Sequence, residues 1–138
     1  MNFLSRIFSI KKVPYLSWSS EHPLNKRPKA FTVIMLVIGL FLFGLGEAIL
    51  IASGSGVSPW TVLAQGISKM TNVSIGEATF LISISILLFW IPLRQIPGIG
   101  TILNVIIIAS AIDLTLPYLP HPENFLLKIL QASLGILV

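Results

Sequence analysis

The chain has 138 residues, of which 54% are hydrophobic and only 10% charged, with a formal net charge of +4. A soluble domain has about 25% charged residues, and one this small has too much surface per volume to hide so much apolar area. The composition therefore excludes a soluble enzyme or nucleic-acid binder. It leaves an integral membrane protein, with the lipid bilayer as solvent for the outer helix faces. The positive charge does not argue for nucleic acid either, because Arg6, Lys11, Lys12, Lys26, Arg27 and Lys29 all precede the first apolar run. Basic residues placed there set topology.

No cysteine is present, which removes disulfides, thiolate metal sites and cysteine nucleophiles together. His22 and His121 lie far apart in proline-flanked polar segments and do not make a metal pair. Neither a metal nor a cofactor is expected. The first apolar run starts near residue 30 and is longer than the apolar core of a signal peptide.

Residues 1–29 read as a basic cytoplasmic leader. Phe3, Leu4, Ile7 and Phe8 recur at helical spacing beside Arg6, Lys11 and Lys12. The segment either lies on an anionic membrane surface or is a disordered tail. Pro14, Pro23 and Pro28 prevent one continuous helix.

The transmembrane domain is expected over residues 30–138. Its first span runs from Ala30 to Ser53, long enough to cross a hydrocarbon core of about 30 Å, and Glu47 is its only charge. Gly54-Ser55-Gly56 forms a natural helix stop. Ser58-Pro59-Trp60 opens a short helix, serine as N-cap and proline at the first helical position. This helix is interfacial or re-entrant, being too short to span.

A second span is expected from Ser74 to Leu93, where Ser74-Ile75-Gly76-Glu77 has capping-box spacing, with Trp90 and Arg94 at the far end. The third runs from Ile99 to Leu119 with Asp113 inside it, and Pro117, Pro120 and Pro122 end it. A fourth, incomplete span starts at Phe125. The fold class is thus an all-α polytopic bundle of three full transmembrane helices and the start of a fourth.

Six of the nine basic residues precede the first span, so the N-terminus is expected in the cytoplasm, with Arg94 inside and Lys69 and Lys128 outside. The apolar run is unbroken at Leu137 and Val138. The expectation is a truncated chain, the front part of a longer protein.

Five motifs occur in order: Gly44-Leu45-Gly46-Glu47-Ala48; Gly54 through Trp60; Trp90 through Gln95; Gly98 through Asn104; and Ile112-Asp113. Together, over roughly residues 35–120, they resemble the YczE/YitT-like family of bacterial integral membrane proteins. The resemblance implies a cell-membrane location and a longer protein of two related halves. It supplies no reaction.

Glu47 is the first candidate site residue, since a charge within a span faces a bundle interior or a watery cavity. Gly44, Ala48, Ala52 and Gly56 follow at four-residue spacing as a small-residue stripe for close helix approach. Glu47 is either a proton or solute site, or a neutral acid that hydrogen-bonds across a helix interface.

Asp113 lies six residues before the end of its span, as Glu47 does of its own. Both should therefore sit about 9 Å below the outer edge. Matched depth allows a carboxylate pair sharing a proton; the alternative is a solvated Asp113 near Pro117. The turn Gly54, Gly56, Ser58, Pro59 and Trp60 is either an anion site at a re-entrant helix N-terminus or an interfacial connector. Asn104 is half a turn out of phase with Asp113 and reads as interhelical packing, as do Thr79 and Ser83. Asn72-Val73-Ser74 fits a glycosylation pattern but abuts a helix cap and is read as accidental.

No phosphate loop or nucleophile-base-acid set is present, so no enzyme is expected. The leading functional reading is a transporter or permease for a small solute, built on an inverted repeat and proton-coupled through Glu47. A homo-oligomer or a missing C-terminal half would complete it. The alternative is a membrane-embedded regulatory or scaffold protein that transports nothing.

Overall fold

A computed structural model describes residues 28–138. The leader and its amphipathic Phe3–Phe8 segment lie outside the described residues, except for Pro28 and Lys29. The described residues form five α-helices and one 3-10 turn: α1 (Ala30–Ser53), α2 (Pro59–Thr71), α3 (Ile75–Trp90), α4 (Ile99–Thr115), the 3-10 turn (Leu116–Tyr118) and α5 (Phe125–Leu137).

Local sequence explains most of the boundaries. Gly54 closes α1 in the left-handed conformation at φ 63°, with its N–H on the Ile51 carbonyl; an L side chain there would be strained. Ser58 caps α2 by accepting the Thr61 N–H, and Pro59 occupies the first turn. At the other end of α2, Asn72 takes φ 57°, a conformation asparagine tolerates better than most residues. Ser68 Oγ donates to the Val73 carbonyl at 2.8 Å. Ser74 then starts α3 with both bonds of a capping box: the Glu77 N–H reaches Ser74 Oγ, and the Ser74 N–H reaches Glu77 Oε2. Asn72-Val73-Ser74 is thus the turn between two helices.

The second expected span is shorter than its apolar run. α3 stops at Trp90 after 16 residues, because Pro92 has no N–H to continue the ladder. The chain tightens instead, Ile91 N–H to Leu88 O and Arg94 N–H to Ile91 O, with Arg94 at φ 53°. In the same way Pro117 converts the end of α4 into a 3-10 turn.

Two helices are therefore long and apolar enough to cross a membrane by themselves: α1, and α4 with its 3-10 extension, 20 residues together. A third crossing is reached only if α2 and α3, bent by 113°, form one broken span. The three full spans expected from hydropathy thus reduce to two, or up to three. The fourth run is a 13-residue helix, α5.

α1 and α4 run parallel at the centre, with Leu36 against Gly100 and Gly44 against Ala111. α5 lies on the other side of α1 and antiparallel to it. α3 packs antiparallel on α4 and carries α2, through an apolar cluster of Ala64, Ala78 and Ile82 with Ile67, Val73 and Ile75. Small residues make these approaches close. A Cβ at Gly44 would come 2.6 Å from the Ala111 Cβ, and one at Gly46 would come 2.6 Å from the Gly135 carbonyl oxygen. Where lipid replaces water, such backbone proximity supplies the dispersion contacts that hold helices together. Gly56 lies beyond the helix stop at φ 146°, so the small-residue stripe ends at Ala52. Outward-facing Phe31, Ile34, Ile38 and Phe41 are exposed, as lipid-facing residues would be. The architecture is consistent with a membrane location.

Candidate functional site

Four helices surround a cleft of about 310 Å³. α1 contributes Phe43 and Glu47, the start of α2 Ser58, Trp60 and Thr61, α3 Thr79 and Ser83, and α4 Asn104, Ile108 and Ile112. Glu47 is half-buried and reaches across to α2. Thr61 Oγ1 donates to its Oε2 at 2.6 Å. Thr61 Oγ1 also lies 2.9 Å from Ser58 Oγ. A hydroxyl has one hydrogen, and that of Thr61 is on Glu47, so Ser58 is the donor in this second bond. The relay runs Ser58 to Thr61 to Glu47. Oε1 of Glu47 accepts no hydrogen bond among the described residues, and it is not sealed off, since among those residues no buried polar side-chain atom lacks a partner.

The relay also accounts for the α2 N-terminus. Pro59 has no N–H, the Thr61 N–H is on Ser58 Oγ at 3.3 Å, and the Val62 N–H is on the Ser58 carbonyl at 2.9 Å. Only the Trp60 N–H of this turn has no partner among the described residues. The protein's own carboxylate sits where an anion would bind, which opposes the anion-site reading of this turn. Ser58 and Trp60 line the cleft. Gly54 and Gly56 shape the turn and do not line it.

Asp113 has a different setting. Its Oδ2 accepts from Ser74 Oγ at 2.6 Å and its Oδ1 from the Gly76 N–H at 2.8 Å. Both donors belong to the first turn of α3, so Asp113 on α4 caps a neighbouring helix from outside. The fit depends on Gly76, where an added Cβ would collide with the Ala109 carbonyl oxygen and the Asp113 carboxyl. Glu77, Phe80 and Ile106 lie along the adjoining groove.

Glu47 and Asp113 therefore do not form the carboxylate pair that matched depth allowed. They point to different sides of α4, and each is held by a different helix N-terminus. Asn104 also departs from its expected packing role. It is exposed on the cleft wall and makes no interhelix hydrogen bond among the described residues, because the half-turn offset from Asp113 aims it at the Glu47 side. Thr79 and Ser83, read as packing residues, line the cleft and bond back to the carbonyls of Ile75 and Thr79, each at 2.8 Å. Thr61 was missed as Glu47's partner. Only its place three residues after a serine cap hinted that it would be held in position. Gly44, Ala48 and Ala52 are buried in α1. No group of three His, Asp or Glu suited to a metal occurs among the described residues.

The profile of a family of unknown function, DUF6198, matches residues 30–138. The match covers every described helix and stops short of the leader, so the chain belongs to this family. It is also 36% identical over 129 residues to an uncharacterized protein of Haemophilus influenzae (strain ATCC 51907 / DSM 11121 / KW20 / Rd), covering 94% of this chain. The aligned stretch is 58% of that relative's length, so the chain spans little more than half of it. No solved structure matches the chain.

Proposed function

We propose that the protein is a permease-like component of the bacterial cell membrane that binds a small polar solute in the Glu47 cleft and passes it across the bilayer. One observation carries the reading: a carboxylate among apolar helices, fixed through one oxygen and with the other turned to a cleft. A charge is costly within a membrane, and the cleft is at the small end of the range for ligand pockets. Glu47 also offers a proton a place to bind, which would couple the flux to protons. In this reading α1, the bent pair α2–α3 and α4 are three crossings in alternating directions, the N-terminus is cytoplasmic, and the chain is not an enzyme. The resemblance of the five sequence motifs to YczE/YitT-like proteins, a finer reading than membership of DUF6198, would agree with such a plan. A second copy, or an inverted second half, would complete the pathway.

The test uses membrane vesicles that carry the full chain, supplied with a panel of labelled amines, carboxylates and sugars. Uptake of one class above that of vesicles lacking the protein is expected, and Glu47→Gln should abolish it while still inserting. Uptake of none, with function lost instead when Gly44 or Ala48 is enlarged, would favour a regulatory or scaffold protein.

A further inference from the structure

We infer that the Glu47 cleft selects an organic cation rich in N–H groups, a primary ammonium or guanidinium compound. This deepens the permease reading and rests on it. Each serine or threonine hydroxyl has one hydrogen and two lone pairs, and every hydroxyl lining the cleft already gives its hydrogen to the protein. Ser58 gives to Thr61, Thr61 to Glu47, Thr79 to the Ile75 carbonyl and Ser83 to the Thr79 carbonyl. What these hydroxyls can still offer a ligand is lone pairs, beside the unbonded oxygen of Glu47; the Asn104 amide and the Trp60 indole add three N–H donors to the cleft, fewer than the free lone pairs of the four hydroxyls, Glu47 and the Asn104 carbonyl.

Charge points the same way. Among the described residues no lysine, arginine or histidine lines the cleft, so nothing there neutralises Glu47. The positive end of α2, whose first turn keeps a single unpartnered N–H, opposes this, as do the neutral N–H donors of Asn104 and Trp60. Trp60 and Phe43 add aromatic faces, which attract cations. A cleft of about 310 Å³ is much larger than a bare metal ion, which needs several oxygens at about 2.3–2.6 Å. A small organic cation fits its size, charge and surplus of acceptors.

Three probes separate these contributions. Methylguanidinium has both charge and N–H donors, methylurea has the donors without the charge, and tetramethylammonium has the charge without the donors. Their methyl signals allow saturation-transfer NMR on the full chain in nanodiscs. Methylguanidinium is expected to bind about tenfold or more tightly than either of the others, a difference of about 1.4 kcal/mol. Glu47→Gln should erase its advantage over methylurea, while Glu123→Gln, an exposed carboxylate outside the cleft, should preserve it. If Glu47→Gln fails to insert, Trp60→Leu serves instead and should weaken methylguanidinium several-fold without changing methylurea.

Equal binding of methylurea, or of tetramethylammonium, overturns the inference. So does binding of methylguanidinium that Glu47→Gln leaves intact. If none of the three binds while vesicles take up a carboxylate or a sugar, the cation assignment falls and the permease reading stands. If none binds and no solute is taken up, both fall.

Discussion

Two carboxylates, Glu47 and Asp113, lie beyond the first turns of their apolar helices, and their surroundings differ. Asp113 has a donor on each oxygen, and both donors come from the first turn of α3. Glu47 has a donor on one oxygen only, and the other faces a cleft. A carboxylate with a donor on each oxygen holds structure, because removing it strands those donors, here the buried Gly76 N–H among them. A carboxylate with an oxygen to spare is available to a proton or a ligand. The same residue chemistry has been put to two uses, and the number of oxygens that carry a donor tells them apart.

Substitutions can break or sharpen this contrast. The largest effect is expected at Gly76. Gly76→Val would drive a branched side chain into Ala109 and Asp113, separating α3 from α4. Size-exclusion chromatography in detergent should show loss of monodisperse protein. Asp113→Ala comes next. It leaves the Ser74 hydroxyl and the buried Gly76 N–H without their acceptor, at a cost of about 3 kcal/mol in reversible unfolding, and Asp113→Asn should recover part of that by keeping one acceptor oxygen. A tolerated Asp113→Ala would mean that the clamp is not structural.

Thr61→Val is expected to cost about 1–2 kcal/mol, since it cuts the relay between α2 and Glu47. Thr61→Ser should restore most of that stability. The smallest stability effect is expected at Glu47. In Glu47→Gln an amide oxygen can still accept from Thr61, so the unfolding midpoint should move by less than about 1 kcal/mol while solute uptake is lost. If Glu47→Gln destabilises as much as Asp113→Ala, both carboxylates are structural, and the contrast fails.

Much of the fold could be read along the chain. Gly54 as a stop, Ser58-Pro59 as a start and the Ser74–Glu77 capping box depend on neighbours within four residues, and each forms as the local pattern predicts. The expectation weakened where one proline mattered more than average hydropathy. The run Ser74–Leu93 is apolar on average, yet Pro92 ends α3 at Trp90, and the number of crossings changes with it. Glu47 and Asp113 both stood out, because a charge in an apolar run is conspicuous. Their partners did not: Thr61 is 14 residues from Glu47, and Gly76 is 37 from Asp113, in helices whose facing sides periodicity leaves undecided.

The sequence by itself determined that the chain is helical, apolar enough for a membrane and punctuated by specific caps, since these properties follow from composition and short-range backbone chemistry. Only the tertiary structure decided which carboxylate has a donor on each oxygen and which keeps an unbonded oxygen for the cleft. That outcome rests on helix crossings set by glycine and alanine contacts, between residues far apart in the chain. A shift of half a turn at those crossings would move Asn104 out of the cleft and Asp113 into it.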